Sequence, residues 1–341
     1  MKKITFLITG LGVGGAEQFL LKLIPRLNFN IEVISLTRDN EIGKQLEEHT
    51  KVTYFNFKHT NFLFQYFKLR KYIRRNKPDT LLTFLIHADI IGRFLKKDFK
   101  LISCVRNDYS KVTKLWYLDW FTASIPDLFI ANSKALKPYL EKLKVPKEKR
   151  KYIPNGVDVD KFVNAKNVRG ALGYSNEDKL IITVARLVPQ KNHETLFKSM
   201  KMLPKRYKLC VVGDGPLKND LQMMTADLGV QDRVFFLGHR GDVQDLLKTS
   251  DVFVLPSFTE GMSNALLEAM SAGLPCVASN IEQNKILIDD KRTGLLFDTM
   301  DSRQLAQKIQ QVKKEYGKNA RNLIKQKYTM EKISERYEKQ I

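Results

Sequence analysis

The sequence predicts an α/β protein built as two doubly wound parallel sheets, and three observations predict it. Short apolar runs of strand type alternate with helix-type patterns along both halves of the chain, as repeated βα units do. The segments after the strands are rich in glycine and turn residues, at the edge where parallel sheets bind ligands. With 341 residues the chain is too long for one ordinary domain of this kind and comfortable for two.

The first half opens on an apolar run at residues 3–9. Met1, Lys2 and Lys3 imitate the start of a signal peptide, but the run is too short and glycine-rich sequence with Glu17 follows, so it reads as the first strand. Gly10, Gly12 and Gly15 then satisfy the G-x-G-x-x-G spacing ahead of a helix at 18–27. Glycines there let backbone N–H groups approach a pyrophosphate, and they equally serve tight packing. A dehydrogenase would want an acid after the second strand. Asp39 is near that place, but Arg38 precedes it and no hydride-transfer site is evident. The alternation continues with strand 31–37, helix 42–48, strand 51–57, helix 61–75 and strand 80–85. A helix from about residue 88, strand 101–105, helix 114–122 and strand 128–131 follow. Pro154 and the turn after it close a first domain at 1–155.

The second half repeats the theme. Strand 180–185 leads into loop 186–192 and helix 194–202, and strand 209–212 leads into Gly213-Asp214-Gly215-Pro216, with Pro216 at a helix start. Strand 234–237 runs into Gly238-His239-Arg240. Residues 251–255 form a strand ended by Pro256, and a turn-rich loop carries Glu260 and Gly261. Ser263 and Asn264 are good N-caps for a helix at 265–270 that stops at Gly273. A last strand at 294–297 and two helices finish the chain. The expected division is a second domain at 156–325 and a terminal segment at 326–341.

Formal net charge is +21, and residues 51–100 alone carry 12 basic against 3 acidic side chains. Such a balance calls for an anionic partner: a phosphate-bearing lipid, an anionic membrane surface or nucleic acid. The three cysteines are scattered without metal or disulfide spacing, which fits a reducing cytosol. No run of about 18 apolar residues is present to span a bilayer.

Glu260 and Glu268 are two carboxylates on the central strand–loop–helix unit. On one continuous helix they would stand about 12 Å apart along the axis. That exceeds the roughly 5 to 9.5 Å of paired-carboxylate glycoside hydrolysis. With Glu260 in the loop and Glu268 in the helix, they suit two places on one extended ligand. The N–H groups of Ser263 to Leu266 offer an anion site between them. The plain alternative is a turn glutamate and a surface helix glutamate.

These residues together resemble a family-4 glycosyltransferase, a retaining sugar-nucleotide enzyme of the GT-B fold, over nearly the whole chain. The carriers are Glu260-Gly261-Met262-Ser263-Asn264 with Glu268-Ala269, Ala185-Arg186-Leu187 with Lys191-Asn192, and Gly213-Asp214-Gly215-Pro216. Phe236-Leu237-Gly238, Pro154-Asn155-Gly156-Val157-Asp158 and Gly14-Gly15-Ala16-Glu17 support them. The resemblance implies two Rossmann-like domains facing across a cleft, with the terminal helix crossing back to the first domain. It implies that Glu260 touches the sugar and Glu268 the ribose, that Arg186 and Lys191 neutralise the diphosphate, and that Gly14 and Gly15 close over it. Gly213, His239, Gly261, Met262, Ser263 and Asn264 are taken with them as donor contacts. The likeness is nearest to bacterial transferases that build glycans on polyprenyl diphosphate lipids. A UDP-sugar donor, no metal, and a peripheral place on the cytoplasmic face of the membrane follow as expectations.

The chemistry is consistent with those roles. Breaking the bond from anomeric carbon to phosphate leaves a diphosphate with added negative charge, which Arg186 can fork onto and Lys191 can oppose as a point charge. Helix N-termini after Gly15 and Gly261 aim fixed dipoles at the same charge. No convincing general base is evident, which fits front-side transfer with the leaving phosphate taking the acceptor's proton. His87 ends a strand at the ligand edge, as a contact to sugar or acceptor, or as a helix-capping or core histidine. Many relatives place a histidine after the next strand, where this chain reads Ser103-Cys104-Val105-Arg106-Asn107-Asp108. Arg106 or Asn107 in that place would change the contact to the sugar's outer hydroxyls. Asp158-Val159-Asp160 imitates a D-x-D metal clamp but matches the family's Asn-Gly-Val-Asp segment, and no other spacing suggests a metal.

On the acceptor side, Phe62, Phe64, Tyr66 and Phe67 run into a basic helix where Tyr66, Leu69 and Ile73 form an apolar stripe. By one reading this is a domain helix that packs the stripe on the sheet, and by the other its flanking cations also meet lipid phosphates or anionic headgroups. Trp116, Tyr117, Trp120 and Phe121 are half core by one reading and membrane-interface anchors by the other. A nucleic-acid-binding protein would explain the charge, but neither glutamate nor phosphate loop, and no nucleic-acid-binding signature is present. A Rossmann NAD(P) oxidoreductase, an epimerase and an inverting transferase are the remaining alternatives.

Overall fold

The computed structural model describes residues 1–110 and 115–341. The chain divides into two compact units, one made of Met1–Gly156 with Met330–Ile341, the other of Val157–Thr329.

The first unit holds seven strands: β1 (Lys3–Ile8), β2 (Asn30–Ser35), β3 (Lys51–Tyr54), β4 (Thr80–Phe84), β5 (Lys100–Val105), β6 (Leu128–Ala131) and β7 (Arg150–Tyr152). All neighbouring pairs are parallel, in the order β3-β2-β1-β4-β5-β6-β7. The inner strands are near-continuous apolar runs because helices cover both faces. Phe6, Leu82, Phe84 and Ile102 face the helix Gly15–Leu23. Leu7, Ile34, Leu81 and Leu101 face the helices Phe62–Asn76 and Ile86–Leu95 through Leu69, Ile73, Ala88 and Ile91. Strand order reverses between β1 and β4, so the loops after those two strands flank a switch point.

The terminal helix Met330–Glu338 belongs to this unit. Tyr337 is fully buried, its ring centroid 5.7 Å from that of Phe19. Gly156 is required for the helix to pass, since a Cβ there would lie 2.6 Å from the Met330 sulfur. Arg106, at the end of β5, fixes the arrangement: one guanidinium nitrogen donates to Tyr337 Oη at 3.0 Å and another to Asn155 Oδ1 at 2.5 Å. Its guanidinium also lies 4.1 Å from the Phe19 ring centroid.

The second unit holds β8 (Lys179–Val184), β9 (Tyr207–Val212), β10 (Val234–Gly238), β11 (Val252–Leu255), β12 (Cys276–Ser279) and β13 (Leu295–Phe297). They run parallel in the order β10-β9-β8-β11-β12-β13, reversing between β8 and β11. One face is closed by the helix Asn264–Ser271, through Leu266, Leu267 and Met270. The other is closed by His193–Met202, through Leu196, Phe197 and Met200.

Several boundaries differ from the sequence reading. The first helix starts at Gly15 and gives way at Pro25 to a single 3-10 turn, Ile24–Arg26, because proline has no N–H to continue the ladder. The helix expected at 42–48 is one turn, Gly43–Leu46. Of the helix expected at 114–122, Lys114 lies outside the described residues, and Trp116–Thr122 is helical. β7 is a three-residue edge strand, Arg-Lys-Tyr, with no apolar pattern to announce it. All three cysteines are buried and unpaired.

Candidate functional site

In the second unit the loops after β8 and β11 flank the switch point, and they are laced together. Phe258 N donates to Gln190 O at 2.9 Å, and Gln190 Nε2 donates to Thr259 O at 2.7 Å. Asn192 Nδ2 donates to Pro256 O at 3.1 Å. Asn192 is left-handed, at φ 52° and ψ 44°, and its Oδ1 accepts from Thr195 Oγ1 at 2.9 Å. Asparagine tolerates that conformation, and its side chain ties the loop to Pro256 and Thr299. The turn sets Lys191 against Glu260, with Nζ to Oε1 at 2.6 Å. Their side chains are 20% and 8% exposed, so the ion pair is largely withdrawn from water. Arg186 stands exposed on the same loop and has no ion-pair partner among the described residues.

The neighbouring loops are stacked behind this one. Gly213 sits at φ 129°, and a Cβ there would fall on the Ala185 carbonyl oxygen, so only glycine lets the two strand ends close up. Gly213 N in turn donates to Gly238 O at 2.8 Å. Gly213 therefore acts in the packing of backbone on backbone. His239 is exposed after the edge strand β10, two strands from β8, and no hydrogen bond or ion pair among the described residues joins it to Arg186, Lys191 or Glu260.

On the β11 side, Gly261 and Met262 are buried and Ser263 caps the helix Asn264–Ser271, its Oγ accepting from Leu266 N at 3.2 Å. Sequence reasoning offered that N–H to an anion, and the structure gives it to the cap instead. Asn264 and Glu268 are half-buried on the helix.

His193 was missed. It is 2% exposed at the first position of its helix, and neither ring nitrogen has a partner among the described residues. Burial, and then the Lys191 charge, push its pKa down to about 4, so it is neutral at pH 7. Its place directly after Lys191-Asn192 was the available signal.

In the first unit, Gly14 is the extended N-cap of the helix Gly15–Leu23, with no side-chain cap. A Cβ on Gly14 would meet the Glu17 carboxylate. Burial raises the Glu17 pKa, while hydrogen bonds from the N–H groups of Glu17 and Ala16 hold it down. The turn that the sequence assigned to a diphosphate thus holds an internal carboxylate. His87 is exposed in the first turn of Ile86–Leu95, which excludes the core reading, and what burial its ring has lowers its pKa. Leu85 before it is a non-glycine residue at φ 72°, a strained backbone of the kind concentrated at functional positions. Arg106 is 5% exposed and its guanidinium is committed to Tyr337 and Asn155, which argues against a ligand contact. Asn107 is exposed.

Among the described residues no three His, Cys, Asp or Glu side chains group as a metal site. Asp160 opens the single 3-10 turn Asp160–Phe162. No helix among the described residues is long and apolar enough to cross a membrane.

Two parallel α/β units, each with a reversal of strand order, define the GT-B class of fold. Anabaena HepE, solved in complex with UDP and glucose, superposes with a TM-score of 0.91 at 22% identity, covering 100% of this chain and 99% of that one. The family model described as Glycosyl transferases group 1 matches residues 164–330, and that described as Glycosyltransferase Family 4 matches residues 13–161. The chain belongs to these glycosyltransferases. It is 33% identical over 255 residues to the UDP-Gal:alpha-D-GlcNAc-diphosphoundecaprenol alpha-1,3-galactosyltransferase of Escherichia coli, an alignment taking in 68% of this chain and 66% of that enzyme, just under two thirds of its length. It is 28% identical to the GalNAc-alpha-(1->4)-GalNAc-alpha-(1->3)-diNAcBac-PP-undecaprenol alpha-1,4-N-acetyl-D-galactosaminyltransferase of Campylobacter jejuni, over 95% of this chain and 94% of that one.

Proposed function

We propose that the chain is a retaining glycosyltransferase that moves a hexose or N-acetylhexosamine from a UDP-sugar to a polyprenyl-diphosphate-linked glycan, acting peripherally at the cytoplasmic face of the membrane. The observation that carries the reading is the Lys191–Glu260 pair at the β8–β11 switch point, with Arg186 exposed beside it. The acceptors in the names of the Escherichia coli and Campylobacter jejuni relatives, and the UDP and glucose bound to HepE, support the substrate classes.

In this reading Arg186 and Lys191 hold the diphosphate and oppose the charge that grows on it as the bond to the anomeric carbon breaks. Glu260 accepts hydrogen bonds from the sugar hydroxyls, its carboxylate held in place by Lys191. Glu268 takes the ribose hydroxyls, and the Gly261–Asn264 turn lies against the donor. Gly14 and Gly15 are assigned to the diphosphate, with Glu17 displaced on binding, and His87 to the sugar. Gly213 supports the loop, and His239 is a peripheral donor contact. The acceptor hydroxyl attacks from the face the diphosphate leaves. The new bond forms between anomeric carbon and acceptor oxygen, and the hydroxyl proton passes to the departing phosphate oxygen. The charge is met by side chains, and the reading asks for no metal. Proton NMR of the product tests it: an α-linkage from an α-configured donor is expected, and a β-linkage would overturn retention.

A further inference from the structure

Three helices of the first unit leave apolar side chains in water where a surface would carry polar ones. On Phe62–Asn76, Leu63 is 69%, Phe64 70% and Phe67 59% exposed. On Ile86–Leu95, Phe94 is 53% exposed, and on Trp116–Thr122, Tyr117 is 65% and Phe121 75% exposed. They form one band. Tyr66 Oη donates to Phe94 O at 3.1 Å, which brings the first helix to the end of the second. Arg93, next to Phe94, donates to Asp119 O at 2.9 Å and to Thr122 Oγ1 at 3.0 Å, which joins the second to the third.

Cations predominate around the band, with Asp98, Asp127, Glu141 and Glu148 the exposed carboxylates on the adjoining segments. Phe62–Asn76 carries Lys68, Arg70, Lys71, Arg74 and Arg75 and no acid. The carboxylate of Trp116–Thr122, Asp119, is turned inward and paired with Arg93 at 2.6 Å, leaving 4% of its side chain exposed. Lys142 Nζ lies 4.6 Å from the Trp116 ring and Lys144 Nζ 5.5 Å from the Trp120 ring. A cavity of about 310 Å³ opens beside them, lined by Trp120, Phe121, Leu143, Lys144, Pro146 and Lys149.

We propose that this band docks on an anionic lipid bilayer, its aromatic side chains entering the headgroup layer and the lysines around Trp116 and Trp120 holding lipid phosphates, one headgroup seated in the cavity. Aromatic and leucine side chains next to cations are the combination that an anionic interface stabilises. Duplex nucleic acid would match the cations and leave the exposed phenylalanines and Leu63 unburied. The inference deepens the proposed place of action and rests on it.

The protein carries its own reporter, because its two tryptophans, Trp116 and Trp120, both lie on this helix. The full chain is titrated with vesicles of phosphatidylcholine, with and without phosphatidylglycerol, while tryptophan emission is followed. Sugar transfer to a water-soluble acceptor analogue is measured alongside, so that the docking surface and the transferase reading fail separately. The expected result is a blue shift with anionic vesicles, quenching by brominated lipid, and weakening by salt. Phe64→Ser and Phe121→Ser should each lower vesicle affinity about tenfold, with melting temperature and soluble-acceptor activity unchanged, because both side chains are exposed. Vesicle binding that leaves the emission unmoved would place the contact on another surface and overturn the proposal, as would equal binding to neutral vesicles. An emission shift with inorganic phosphate alone, or with duplex DNA and not vesicles, would overturn it in favour of a free anion or nucleic acid.

Discussion

Lys191 and Arg186 lie on one loop and differ in a way that experiment can separate. Lys191 is engaged with a carboxylate that is 8% exposed, so Lys191→Met leaves that carboxylate without its partner, and about 1–3 kcal/mol of stability should go with the activity. Arg186 is exposed, so Arg186→Ala should change stability by less than about 0.5 kcal/mol while lowering kcat about 100-fold or more. Thermal unfolding and initial rates on the two variants check the contrast. Asp89 gives a pH signature. It is fully buried against Thr83, and burial lifts its pKa from 3.8 to about 7 in spite of Arg93. The folded state therefore holds a proton that the unfolded chain has released. Stability on this account is full below pH 3.8 and is lost as pH rises toward about 7. Asp89→Asn should flatten the melting temperature across that window, and an unchanged slope would contradict the assignment. At this scale the motif residues were legible because strand-end loops carry them. Arg106 was not: its burial depends on Tyr337, 231 positions later, and no local pattern announces that contact.

The elements that matter are the turns joining strand to helix. Gly213→Ala should cost about 1–3 kcal/mol, since φ 129° and the Ala185 carbonyl both oppose a side chain there. Ser263→Ala should cost about 1 kcal/mol by removing the cap on Leu266 N, seen as a lower denaturation midpoint. The buried strands were readable as apolar runs, and the helices that follow them as periodic patterns, because parallel sheets bury both faces. What escaped was one use of backbone N–H groups. The Ser263 cap was readable from its residue type and the structure has it, but nothing in the sequence showed that Glu17 takes up the donors at the start of the first helix. Edge strand β7 escaped because two of its three residues are basic and nothing in them repeats.

For the molecule as a whole, a chain that leaves its first unit at Gly156 and returns at Met330 closes a core on Tyr337, so the terminal helix is part of the first unit's stability. Removing residues 330–341 should expose the Arg106 guanidinium and the Phe19 face and lower the first unit's melting temperature. The net charge of +21 is a partner statement, and it sits beside a fold whose family handles activated sugars. The most direct test of the central claim is calorimetric titration of the intact chain with a panel of UDP- and GDP-sugars and NAD(P). The account predicts that a UDP-sugar binds and that Lys191→Met and Glu260→Gln each weaken it at least about tenfold. Binding that survives both substitutions, or a response to NAD(P) alone, would contradict it.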